Sequence, residues 1–236
     1  MEFRIEKAAL FLALAVPLAA AELRFDVRHD HWRKSGAGAL MVSEDGVSFS
    51  EIAKKKRKRP HAWRWSYTEI QKLEISPRRL RLLTYEDVRW KGGADREHEF
   101  TIRTGDFLAA YDLLKNRLDQ RFVAALGDAE VKPDWEIPAK LTERFGGVNG
   151  TLKVAADRIV FETSLANRSR TWRWQDIDNL SSSGPFELTL VTFERARTHY
   201  GNRRGFNFQL KLPLAEERYN SLWQRLNREK GLKHLN

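Results

Sequence analysis

Ten basic side chains carry the strongest chemical signal in this chain. Six are consecutive, Lys54-Lys55-Lys56-Arg57-Lys58-Arg59, and four more, Arg168, Arg170, Arg203 and Arg204, fall in two later loops. Cations gathered on loops either bind an anionic partner with strong salt dependence or stand solvated with no partner. If the ten are functional, they form an anion-binding surface for lipid headgroups, lipopolysaccharide or another polyanion. The pairs Trp63/Trp65 and Trp172/Trp174 offer rings for stacking on bases or sugars. Their alternation at matching points of the chain favours packing in a core instead. His29-x-His31 with Asp26 and Asp30 has donors for a metal but no Cys companion. That segment reads as an exposed polar lead-in, and neither a metal nor another cofactor is expected. Glu69 and Asp176 precede matching Ile-x-x-Leu steps; paired carboxylates could do acid–base work, but these lie in separate copies and are expected to bond backbone at a strand bend. No Gly-x-Ser-x-Gly, Ser-x-x-Lys or Cys supplies a nucleophile, and Gly92-Gly93 and Gly146-Gly147 lack the Lys-Ser/Thr of a phosphate loop. The expectation is a non-enzymatic protein.

These residues sit on a chain that says nearly the same thing twice. Gly38-Ala39-Leu40-Met41-Val42 returns as Gly150-Thr151-Leu152-Lys153-Val154, and Trp65 with Ile70 and Leu73 returns as Trp172 with Ile177 and Leu180. Leu80-Arg81-Leu82-Leu83-Thr84-Tyr85-Glu86 returns as Leu188-Thr189-Leu190-Val191-Thr192-Phe193-Glu194, and the basic-aromatic segment Arg89–His98 as Arg197–Phe206. A period of about 110 residues is domain-sized, so each copy is long enough to bury its own core. The apolar spacing within each copy is two, as in half-buried strands, with turn residues between the runs. The spacing then changes: Phe107, Tyr111, Leu114, Leu118 and Phe122 follow Asp106 at three- and four-residue steps. Leu214, Tyr219, Leu222 and Leu226 do the same in the second copy. Each copy is therefore expected to end in one amphipathic helix.

The chain has 236 residues, 42% of them hydrophobic, and a formal net charge of +10. Removing the run 54–59 leaves only +4, so the basicity is largely local. Arg4 and Lys7 precede an apolar stretch from Ala8 to Ala21 that ends in Ala19-Ala20-Ala21, the pattern of a secretory signal peptide. Fourteen apolar residues interrupted by Pro17 are too few to span a bilayer as a helix. Cleavage near Ala21 implies a periplasmic or secreted protein with no transmembrane segment, and makes nucleic acid an unlikely partner. With no cysteine, no disulfide forms.

The motifs Gly-x-Leu-x-Val, Asp157-Arg158-Ile159-Val160-Phe161, Asp176-Ile177-Asp178-Asn179-Leu180 and Leu-x-Leu-x-Thr resemble the pleckstrin-homology superfold in its GRAM-like and bacterial variants. The resemblance implies a mostly β, α+β chain of two tandem antiparallel β-barrels, each capped by a C-terminal helix. The division is 1–21 signal peptide, 22–125 first domain, 126–140 linker and 141–236 second domain. It further implies a binding module for an envelope protein, a peptide or an anionic surface. Lipid-binding members hold phosphates with basic residues in the first hairpin, where this chain has Ser43-Glu44-Asp45-Gly46 and Ala155-Ala156-Asp157-Arg158. The alternatives are a hydrolase or lipid-modifying enzyme with a site at the interdomain seam, and a structural envelope component without a small ligand.

Overall fold

A computed structural model describes residues 22–30, 36–52, 60–88, 92–196 and 203–231. The proposed signal peptide, the whole run Lys54–Arg59, and His31, His199 and His234 lie outside the described residues.

The first copy contributes β1 (Leu23–Asp30), β2 (Gly36–Val42), β3 (Gly46–Glu51), β4 (Ala62–Ser66), β5 (Ile70–Ile75), β6 (Arg79–Asp87) and β7 (Asp95–Ile102). A short helix α1 (Leu108–Leu114) and a three-residue strand β8 (Phe122–Ala124) follow. The second copy supplies β9 (Trp135–Thr142), β10 (Gly147–Val154), β11 (Arg158–Glu162), β12 (Arg170–Arg173), β13 (Ile177–Ser181), β14 (Glu187–Arg195), β15 (Arg203–Leu210) and α2 (Glu216–Glu229). The period-two alternation becomes these strands, one side chain in two turned inward. Buried residues gather in two clusters, one from Phe25 to Leu126 and the other from Ile137 to Leu226.

The repeat also explains a shared glycine. A Cβ on Gly38 would lie 2.4 Å from the Ser50 carbonyl oxygen and 2.5 Å from the Phe49 ring. On Gly150 it would lie 2.2 Å from the Glu162 carbonyl oxygen and 2.8 Å from the Phe161 ring. Each copy thus presses a ring from its third strand against bare backbone in its second, a close approach that only glycine permits.

Two helix-capped barrels do not form. Among the described residues, fifteen strands belong to one sheet, in the order β13-β14-β15-β9-β10-β11-β12-β8-β5-β6-β7-β1-β2-β3-β4. Among the described residues neither half closes on itself: β4 pairs only with β3 and β13 only with β14, which leaves both as sheet edges. The edges of β5 and β12 are taken by β8 instead. Phe122 continues the helical spacing of Leu114 and Leu118, yet α1 stops at Leu114 and Phe122 opens a strand. That strand runs parallel to β5, with Leu73 opposite Phe122, and antiparallel to β12, with Ala124 opposite Thr171. It therefore carries the hydrogen-bond ladder from one copy into the other. Among the described residues, no helix is long and apolar enough to cross a membrane.

Candidate functional site: an arginine-lined cavity at the seam

Polar side chains lock the seam on either side of β8. Thr171 Oγ1 donates to the Leu126 carbonyl (2.9 Å) and accepts from the Asp128 backbone N–H (3.1 Å). Arg158 pairs with Asp128 and donates to the Tyr111 hydroxyl (3.2 Å). Arg173 reaches back into the first copy, where its guanidinium donates to the carbonyls of Lys115, Leu118 (2.7 Å) and Asp119 (2.7 Å). These carbonyls follow the end of α1, where helical acceptors run out of partners. Asp176 holds the same guanidinium at 2.7 Å and accepts from the Arg173 backbone N–H at 2.9 Å. Burial pushes the Asp176 carboxyl up, against the pull of Arg173.

On the other side of the seam lies a cavity of about 490 Å³. Arg78, Arg79 and Arg81 line it from the first copy, and Arg168, Arg170 and Arg204 from the second. The tight turn Ser76–Arg79 between β5 and β6, closed by Ser76 N–H donating to the Arg79 carbonyl (2.8 Å), presents Arg78. Asn167, in the left-handed region at φ 60°, turns the loop that presents Arg168. Asparagine tolerates that conformation better than most residues. Arg170 and Arg204 come from β12 and β15, and both guanidiniums face the Phe206 ring, at 5.1 and 4.7 Å from its centre.

Carboxylates partly balance this charge. Arg79 and Arg81 share Glu99 (3.2 and 3.1 Å), and Arg168 pairs with Glu143. Arg170 and Arg204 share a single oxygen of Glu194, at 2.8 and 3.0 Å, while the Trp172 indole N–H donates to the other (3.3 Å). Burial works against ionisation of Glu74, but Lys72, Arg170 and Arg81 outweigh it and hold its carboxyl below the ordinary glutamate range. Burial, and then the like charge of Arg170, lower Arg204 from the usual guanidinium value. Among the described residues Arg78 makes no ion pair, and it is exposed.

Of the sequence-derived candidates, the cavity gathers Arg168, Arg170 and Arg204. Arg203 is not among its lining residues: it stacks on Phe193 (4.4 Å) and stands 3.7 Å from Asp178. Glu69 and Asp176 bond backbone at the bends after β4 and β12, as their positions imply, with Glu69 accepting from the Ser66 N–H at 2.8 Å. His29 is not an exposed lead-in. It is buried against Phe100 and Trp63, and its Nε2 lies 3.3 Å from Nδ1 of His98. The spacing could not reveal this contact, because its partner is 69 residues away. Among the described residues, no histidine lines the seam cavity and no group of three metal-ligating side chains converges. Sequence reasoning missed Arg78, Arg79 and Arg81, although Arg78-Arg79-Leu80-Arg81 is a basic cluster in its own right.

No protein-family model and no curated protein matches the chain. Among solved structures it is similar to the C-terminal domain of an unknown protein from Leishmania infantum, with 13% identity, 40% of this chain and 84% of that chain covered, and a TM-score of 0.31. It is also similar to the Spt16D–Pob3N heterodimer, with 13% identity, 73% and 84% covered, and a TM-score of 0.31. A third is the hSac2 domain of the human phosphoinositide phosphatase Sac2, with 14% identity, 51% and 85% covered, and a TM-score of 0.31. Likeness at this score fixes neither ligand nor partner.

Proposed function

We propose that this chain is an exported, non-enzymatic binding protein whose ligand presents an anionic group to the seam cavity. The observation that carries the reading is Glu194. One carboxylate under protein cover serves two guanidiniums, Arg170 and Arg204, in a cavity that four more arginines line. A positive excess gathered in a partly desolvated cleft attracts and holds anions far better than the same charges spread over a surface. The cavity volume falls in the range of small-molecule sites.

The carboxylates at the cavity favour binding over acid–base chemistry. Glu74 is kept ionised by its cations, and Glu143 and Glu194 are occupied by arginines. A general acid needs a proton to give at working pH. The repeat motifs, with their likeness to a superfold that hosts many binding sites, support a binding module, and the apolar segment before Glu22 supports export.

The test is thermal stabilisation and calorimetry of the purified protein with phosphate, sulfate and succinate at constant ionic strength. At least one of them is expected to bind. The double variant Arg78→Gln/Arg168→Gln should lose that binding, and a variant without residues 54–59 should keep it. If no anion binds, or if only the loss of 54–59 abolishes binding, the seam cavity is not the site.

A further inference from the structure

The two copies share one local device and then differ in its surroundings. In the first, Thr84 Oγ1 donates to the Arg96 carbonyl (3.3 Å) and Glu86 pairs with Arg96 (2.9 Å). In the second, Thr192 Oγ1 donates to the Arg204 carbonyl (3.2 Å) and Glu194 pairs with Arg204 (3.0 Å). The positions of Trp63 and His98, whose rings lie 5.2 Å apart, are taken in the second copy by Arg170 and Phe206. A ring contact has become a guanidinium over a ring, and a cation has been added without a carboxylate to match it. The setting changes too: the Glu86 side chain is 59% exposed, that of Glu194 only 8%. The second copy thus holds two guanidiniums at one covered carboxylate where the first holds one at an exposed carboxylate.

We propose that the seam cavity binds a phosphomonoester group, held by Arg170 and Arg204 from the second copy and by Arg78 from the first. The proposal rests on the anion-binding reading above and narrows it to one ligand chemistry. Charge is the first argument. Six arginines line the cavity, and four glutamates (Glu74, Glu99, Glu143 and Glu194) line it or pair with them, an excess of two. Lys72, 3.3 Å from Glu74, adds to that excess. With Lys72 the excess among the described residues is three; a phosphomonoester, at about −1.5 to −2 at neutral pH, offsets most of it, and a monocarboxylate only about a third.

Geometry is the second argument. The planar fork of arginine suits phosphate oxygens in a bidentate arrangement. Arg78 comes from the β5–β6 turn of the first copy and Arg170 and Arg204 from β12 and β15 of the second, so they reach the cavity from different elements. Three terminal oxygens on a tetrahedral phosphorus offer acceptors in several directions at once, whereas a carboxylate offers two in one plane. Size is the third. About 490 Å³ exceeds the needs of a bare phosphate, and Phe206 and Leu141 add apolar lining for the organic part of the ligand.

The experiment is calorimetric titration of the purified full chain with glycerol 3-phosphate, inorganic phosphate and succinate at constant ionic strength. Binding of glycerol 3-phosphate at least about tenfold tighter than succinate is expected, strengthening as pH rises through about 6, where the second phosphate proton leaves. Arg78→Gln should weaken it about tenfold without moving the melting temperature of the unliganded protein. Arg170→Lys, which keeps the charge but not the fork, should weaken it as well. Vesicles with phosphatidic acid, against phosphatidylcholine alone, separate the ligand's source. Capture that glycerol 3-phosphate competes away places the group on a lipid; soluble binding without capture places it on a metabolite. Capture that glycerol 3-phosphate does not compete overturns the proposal. Equal binding of succinate also overturns it while leaving the anion reading intact. A complete absence of anion binding ends both.

Discussion

Replacing Arg173 with Ala should uncouple the two halves of the sheet. Its guanidinium spans the seam, with Asp176 on one side and the carbonyls of Lys115, Leu118 and Asp119 on the other. The side chains of Arg173 and Asp176 are only 12% and 14% exposed. Removing one partner of a covered pair costs about 3–5 kcal/mol, because the remaining carboxylate loses its counter-charge and the carbonyls their donors. With a urea m-value of about 2 kcal/mol/M, the midpoint should fall by about 2 M. Arg173→Lys should recover less than half of that loss, since one ammonium cannot reach four acceptors arranged around a planar fork. Hydrogen exchange read separately on peptides of β5 and β12 tests the coupling. The wild type should open both strands together, and Arg173→Ala should open one before the other. A loss below about 1 kcal/mol with exchange still synchronous would mean that β8 pairing, with the Thr171 and Arg158 contacts, joins the halves without Arg173.

Three further outcomes are expected. Trp172→Ala should cost about 3–5 kcal/mol in urea unfolding, because the ring is 2% exposed and packs on Phe206 and Phe208; a loss under about 1 kcal/mol would restore a surface stacking role. Gly150→Ala should destabilise by about 1–3 kcal/mol, since the new methyl meets the Glu162 carbonyl oxygen, which cannot rotate away; an unchanged midpoint would show that the strand shifts freely. Burial, and then Asp45, push the Tyr67 phenol up to about 12, with its hydroxyl donating to the Ser43 carbonyl at 2.7 Å. The fold holds this proton more tightly than the unfolded chain does. The stabilisation is therefore present in full below about 10 and is lost as pH rises through 12. Difference titration of wild type against Tyr67→Phe by phenolate absorbance checks this; ionisation near 10 would contradict it.

The strands were legible because period two at Leu40/Val42, Leu80/Leu82 and Leu188/Leu190 has one cause, a single buried face. The joining of the copies was not. Phe122, Val123 and Ala124 are all buried, so β8 shows no alternation, and Phe122 falls in step with the helix before it. A three-residue strand that pairs in parallel with β5 and antiparallel with β12 leaves no local trace, since its meaning lies in partners 49 residues back and 47 ahead. Helical spacing also overstated α1. Leu118 keeps the period and is buried, but it is reached by a turn.

The site was half legible for a reason that the repeat supplies. Where two copies must build the same strands, matching positions keep matching chemistry: Gly38 and Gly150, Thr84 and Thr192, Glu86 and Glu194. Where they differ, the repeat gives no guide to the chemistry. Arg170 in place of Trp63 is such a departure, and it stands where the strand order brings the second copy against the first. Arg78, Arg79 and Arg81 could not be joined to it from the sequence, because β8 is what brings β5 and its turn beside β12. The bridging strand thus does two things at once. It takes the edges of β5 and β12, and it brings the arginines of one copy beside those of the other, so that the cavity belongs to the pair and to neither copy alone.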